Sequence, residues 1–158
     1  IVIIYQTEIK INNSDYILDI YDKSEELNDF QSIYDKYFLH LFKVEAYRSY
    51  HDKQYDTDIL REFTNALLIQ PDAYYIICEV GTFYLNNLQN TQIATDYFLK
   101  AKSVDPEKPN AYFGLGEVYL YLNNPNMAKM YYQLAITKDP NFTEAIKKLE
   151  SLQNNENK

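Results

Sequence analysis

The chain has 158 residues and a mass of 18.8 kDa, enough for one domain with a real core. With 46% hydrophobic and 24% charged residues it is not a disordered chain, and 3 Gly and 5 Pro are too few for an all-β protein built on tight turns. A net charge of −8 and a pI near 4.7 disfavour binding to a phosphate backbone, and a single Cys removes both a disulfide framework and a multi-cysteine zinc site.

At the front, the uninterrupted apolar run Ile1–Ile4 is far short of the roughly 20 residues of a membrane span. The first residue is Ile, not Met, so the chain reads as processed or cut, and targeting information can have stood before it. Residues 1–11 fit an extended or a helical segment. Asn12-Asn13-Ser14-Asp15 reads as a turn, Tyr16–Tyr21 as a short apolar helix, and Ser24-Glu25-Glu26 as a helix start with acids at the positive end of the dipole. Phe30, Ile33, Tyr34, Tyr37, Phe38, Leu41 and Phe42 follow at helical spacing. No Gly or Pro interrupts the chain before Pro71, so this helix can run on past Phe42. The 17 Tyr, with no Trp, read as compositional bias before any is asked to bind something.

From there the sequence repeats itself. Phe63-x-x-Ala66, Phe98-x-x-Ala101 and Tyr132-x-x-Ala135 lead to Pro71, Pro106 and Pro140, which lie 35 and 34 residues apart. Gly81-x-x-Tyr84 recurs 35 residues on as Gly116-x-x-Tyr119, and Ala94 pairs with Ala128. Each unit predicts two helices of about 13 residues joined by a polar turn. The small residues allow close helix approach, with Ala128 facing Gly116, and the aromatics fill the space between. The extra residue of the middle unit falls between Gly81 and Ala94, in the turn. Asp105-Pro106 and Asp139-Pro140 stop the second helices, because Pro cannot donate within a helix and restricts the residue before it.

The last part, Thr143–Leu152, sets Ala145, Ile146, Leu149 and Leu152 on one stripe and Lys147, Lys148 and Glu150 on the other. That pattern predicts a helix closing the array with its polar face to water, followed by a frayed polar tail.

These repeats resemble the tetratricopeptide repeat family. Tyr112, Leu115, Gly116, Tyr119, Ala128, Tyr132, Ala135 and Pro140 occupy signature positions in the third unit. Gly81, Tyr84, Ala94, Phe98, Ala101 and Pro106 do so in the second, and Tyr50, Phe63, Ala66 and Pro71 in the first, where Ala46 or Tyr47 stands in place of Gly. The resemblance implies an all-α superhelical solenoid of antiparallel helix pairs. Residues 1–38 form an N-terminal, partly helical extension; 39–72, 74–107 and 109–142 form three repeats; and 143–158 form the cap helix and tail. It also implies that the first helix of each repeat lines a binding groove. The carried-over positions are Val44 and Arg48; Tyr75, Cys78, Glu79, Thr82 and Asn86; and Asn110, Phe113, Glu117, Leu120 and Tyr121. A subgroup of the family grips C-terminal carboxylates with a Lys/Asn/Asn/Lys/Arg clamp. Val44, Arg48, Glu79, Asn110 and Gly114 stand at those places, which depart from it, and carboxylate gripping is not expected.

Nothing in the sequence predicts catalysis, a cofactor or a metal. His51, Asp52, Asp56 and Asp58 fit helix capping and dipole compensation better than a metal cluster, and there is no Gly-rich phosphate loop or nucleophile elbow. Cys78 reads as a small packed residue, although the helix around Tyr74–Leu85, apolar almost all round, is expected to open its Tyr75/Cys78 face onto the groove. The expected function is non-catalytic protein–protein binding, as a scaffold or assembly factor taking a peptide or helix. The alternatives are a self-association module forming homo-oligomers, or the non-catalytic part of a larger enzyme or membrane-tethered complex. The expected partner is a protein or peptide, with no nucleic acid and no membrane span in this chain.

Overall fold

A computed structural model describes residues 33–50 and 52–156. The expectations for the front, up to the helix start at Ser24, lie outside the described residues. Those residues form helices and turns without a strand, and the chain divides into two compact units between Gln70 and Pro71.

The first unit holds α1 (Ile33–Ser49), a 3-10 turn (Lys53–Tyr55) and α2 (Asp56–Ile69). Tyr37, Leu39, Val44 and Ala46 on α1 and Ile59, Phe63 and Ala66 on α2 are buried. Ala46 is the small residue of this hairpin, since Tyr47 instead stacks on Tyr55 with ring centroids 5.4 Å apart. Asp52 caps the turn by accepting from the Gln54 N–H at 3.0 Å, while Asp56 and Asp58 occupy the first turn of α2, where its dipole favours acids.

The second unit holds α3 (Tyr74–Asn86), α4 (Thr91–Val104), α5 (Pro109–Tyr121), α6 (Pro125–Lys138) and α7 (Thr143–Glu156). Each helix packs on the next in sequence, and α3 also touches α5. Helix ends follow local chemistry. Asn90 and Asn124 cap α4 and α6 by accepting from Ile93 and Met127 N–H groups at 3.1 and 3.2 Å. Pro109 and Pro125 sit at first helical positions, where a missing N–H is harmless. Asp105 and Asp139 are extended, as residues before proline must be, and each accepts from the backbone N–H two residues on. The Asn124 N–H reaches back to the Tyr119 carbonyl across five residues and the Asn90 N–H to Tyr84 across six, both at 2.8 Å. The extra residue of the middle repeat therefore lies in the α3–α4 turn.

Buried aromatics fill the spaces left by glycines. The Phe98 ring of α4 lies where a Cβ on Gly114 would stand and in tight contact with one on Gly81, and the Tyr132 ring of α6 lies where one on Gly116 would stand. The atoms nearest a Cβ on Gly116 are thus those of the Tyr132 ring, one turn on from the expected Ala128. Gly114, absent from the repeated pattern, is the tightest of the three approaches and joins one repeat to the next. A stacked tyrosine pair also repeats, Tyr84 on Tyr97 and Tyr119 on Tyr131, with centroids 5.7 and 5.3 Å apart.

Helix α7 covers Tyr112, Tyr132 and Ala135 with Ala145, Leu149 and Leu152, and Phe142 packs beside them. One expectation about this cap needs correction. Lys148 does not simply face water, because its Nζ lies 2.8 Å from Glu117 Oε2. Leu134 on α6 stays exposed with the cap in place.

Candidate protein-binding face

The Tyr74 hydroxyl donates to the Lys108 carbonyl at 3.2 Å and accepts from the Ala111 N–H at 3.0 Å. These bonds set the starts of α3 and α5 side by side and parallel. On α3, Tyr75, Glu79, Thr82 and Asn86 recur at spacings of four, three and four, so they form one stripe. Asn110, Phe113, Glu117 and Tyr121 form the matching stripe on α5.

Tyr75 is 58% exposed, so it does not fold back into the array. Its ring stands edge-on to Tyr74 at 5.2 Å, and the Lys108 ammonium sits 4.7 Å from its centroid and 4.8 Å from that of Tyr74. Lys108 is itself 3.4 Å from Asp105. One ring is thus held from behind by an aromatic edge and a cation while its remaining surface stays open. Thr82, Asn86 and Tyr121 are exposed, and Asn110 and Glu79 are half-buried.

The expectation that Cys78 shares this open face is corrected: it is 7% exposed. Burial pushes its thiol up to about 12, with the Tyr74 hydroxyl acting the other way, so it is an inert packed thiol. The Tyr74 hydroxyl that bonds across to α5 also bonds to this sulfur. Phe113 is half-buried between Tyr132 and Phe142, with centroids 5.6 and 5.5 Å away, and belongs to the cap contact. Glu117 accepts from the Tyr132 hydroxyl through one oxygen and from Lys148 through the other. Its charge is therefore spent inside the protein, and burial together with Glu117 pushes the Tyr132 hydroxyl well above the ordinary tyrosine range. Leu120 is half-buried.

Val44 and Arg48 belong to the first unit. Val44 is buried and lines nothing. Arg48 pairs with Glu45 at 3.0 Å and lies 5.2 Å over the Phe63 ring, which ties it to its own hairpin. The same unit hides a polar pair that sequence reasoning missed. His40 Nδ1 is 2.7 Å from Glu62 Oε2, and Arg61 Nε is 3.2 Å from the other oxygen. Burial pushes the Glu62 carboxyl up, but the His40 bond, the charges of Lys43 and His40 and the Arg61 bond outweigh it and hold it below its ordinary value. The acids near residue 51 act structurally: Asp52 caps, and Asp58 pairs with Arg61 at 2.8 Å.

Among the described residues, no helix is long and apolar enough to cross a membrane. Residues 109–142, which span α5, α6 and the turn to α7, match the family model of the tetratricopeptide repeat. They are a tetratricopeptide repeat. No curated sequence matches the chain. Solved structures of tetratricopeptide proteins share its fold. The thermophilic tetratricopeptide protein TTC0263 of Thermus thermophilus is 15% identical, with a TM-score of 0.65 over 91% of this chain and 83% of its own. The first tetratricopeptide domain of human RPAP3 is 18% identical, with a TM-score of 0.61 over 73% of this chain and 90% of its own. The first such domain of Spaghetti (RPAP3), bound to the HSP90 peptide SRMEEVD, is 16% identical, with a TM-score of 0.52 over 92% and 97%.

Proposed function

We propose that this chain is a non-catalytic protein-interaction scaffold that takes a peptide or helix of a partner protein across the α3/α5 face. The observation carrying the reading is Tyr75, a large ring held in place by Tyr74 and Lys108 yet mostly exposed. A ring already fixed in position loses little freedom when a partner packs on it, which is the property of an interface anchor. Below it, Thr82, Asn86 and Asn110 offer neutral hydroxyl and amide groups suited to peptide hydrogen bonding.

The tetratricopeptide domain of Spaghetti is solved with an acidic peptide. The present chain argues for a different ligand. Glu79 places an acid on the face, Gly114 is filled by Phe98, and Val44 is buried, so the groups that would grip carboxylates are missing. A neutral or basic segment suits the face better, and Glu117, already bound twice, adds nothing to that preference.

The test is affinity capture with the intact chain, compared with Tyr75→Ala and with Thr82→Arg, which puts a bulky cation in mid-face. Both variants should keep their helical circular dichroism and lose the captured partner, while Lys100→Ala on α4 should capture as the wild type does. Capture untouched by both face substitutions would place the working surface elsewhere.

A further inference from the structure

The Tyr74 bonds align the starts of α3 and α5, so the α4–α5 and α6–α7 connections share one edge of the second unit with them. The α3–α4 and α5–α6 turns share the opposite edge. These two edges differ sharply in charge. The first carries Asp105, Glu107, Lys108, Lys138 and Asp139, knit by Lys108–Asp105 at 3.4 Å and Lys138–Glu107 at 2.9 Å. The second has no charged residue from Val80 to Thr95 or from Val118 to Ala128.

That neutral edge exposes leucines at equivalent places in its two turns, Leu88 at 38% and Leu122 at 54%, with Tyr121 beside the latter at 52%. The turn geometry does not ask for them. Asn123 takes the left-handed conformation, with φ 56°, and the Asn124 N–H closes the helix end on Tyr119. The apolar contact that often accompanies such an ending would come from the residue after the left-handed one, and that residue is Asn124, engaged in capping α6. Leu122 precedes this site and takes no part.

We propose that the neutral edge is a self-association surface on which a second copy of this chain docks, leucine to leucine. Two chains of net charge −8 repel, and the repulsion is least where neither presents a charge. A two-fold contact brings a surface against itself. Asn side chains carry a donor and an acceptor each, so an amide-rich border pairs with its own copy, while the leucines supply an apolar centre. The patch is small and belongs with weak, reversible contacts. It meets the α3/α5 face at Tyr121, but Leu88 and Leu122 lie outside that face and Thr82 lies outside the edge, so substitutions there let the two readings fail independently.

Sedimentation equilibrium of the intact chain, from about 10 µM to about 1 mM, tests this over the range of weak affinities. The wild-type mass should climb toward twice 18.8 kDa, and more readily at higher salt, where the repulsion is screened. Leu88→Lys with Leu122→Lys should weaken association at least about tenfold, since each adds like charge to the contact. Thr82→Arg should leave it unchanged. Leu122→Cys, in a chain whose Cys78 is buried, should give a disulfide-linked dimer on mild oxidation, and Lys100→Cys should not. A monomer at every concentration would overturn the proposal, as would a double-lysine variant that associates like the wild type, or an association lost equally with Thr82→Arg.

Discussion

At the residue scale, the three glycines separate two opposing effects of one methyl group. Replacing a helical glycine by alanine gains about 0.5–1 kcal/mol of helix propensity, whereas forcing a methyl into a filled space costs about 1–3 kcal/mol. A Cβ on Gly116 would stand 2.5 Å from Tyr132 Cε1, and that ring is fully buried with its hydroxyl held by Glu117. A Cβ on Gly114 would overlap Phe98, a buried ring with no polar tether. On Gly81 it would meet the same ring at 3.0 Å, a distance a small tilt relieves. Gly116→Ala and Gly114→Ala should therefore lower stability by about 1–3 kcal/mol, and Gly81→Ala should stay within about 1 kcal/mol of the wild type. Urea midpoints measure the ranking. A raised midpoint for Gly116→Ala would mean that Tyr132 is free to move.

At the element scale, α7 covers the apolar end of the array. It lays Ala145, Leu149 and Leu152 on Tyr112, Tyr132 and Ala135, and it presents Glu144, Lys147 and Glu150 outward. Deleting residues 143–158 should expose the Phe113–Phe142 cluster and produce aggregation or a large drop in the melting temperature. Lys148→Ala should cost under about 1 kcal/mol, because its pair with Glu117 is partly exposed. A soluble truncation with an unchanged melting temperature would show that α7 is an ornament. The hairpins were readable from the sequence because every repeat must solve the same packing problem, which forces Phe98 and Tyr132, with Ala101 and Ala135, onto a 34-residue period. What occurs once is not readable that way. Gly114 takes Phe98 where the preceding repeat has Glu79, and Glu117 meets Lys148 across 31 residues. His40 meets Glu62 across 22 residues, in the repeat that departs furthest from the pattern. The stripe Tyr75 to Asn86 was legible from helical spacing, but the burial of Cys78, next to a Tyr74 hydroxyl that bonds across to α5, is tertiary and no local pattern encodes it.

At the scale of the whole molecule, charge balance decides how stability responds to salt. The chain carries 23 acidic and 15 basic residues. Its ion pairs include Lys138–Glu107, Lys148–Glu117, Arg61–Asp58 and Lys108–Asp105, each with at least one partner substantially exposed. Exposed pairs contribute about 0–1 kcal/mol apiece and weaken with salt. Against them stands the mutual repulsion of an excess of eight negative charges, which acts over the whole surface and disfavours the compact state. The screening length falls from about 30 Å at 0.01 M salt to about 8 Å at 0.15 M. That change removes most of the long-range repulsion between charges on different helices, while contacts near 3 Å keep much of their attraction. The melting temperature should therefore rise between those two salt concentrations, and Glu→Gln substitution at an exposed acid without an ion pair, such as Glu150, should reduce the rise. Sodium chloride titrations followed by circular dichroism, at a protein concentration low enough to keep the chain monomeric, measure both effects. A melting temperature that falls with salt would mean that these ion pairs outweigh the net charge.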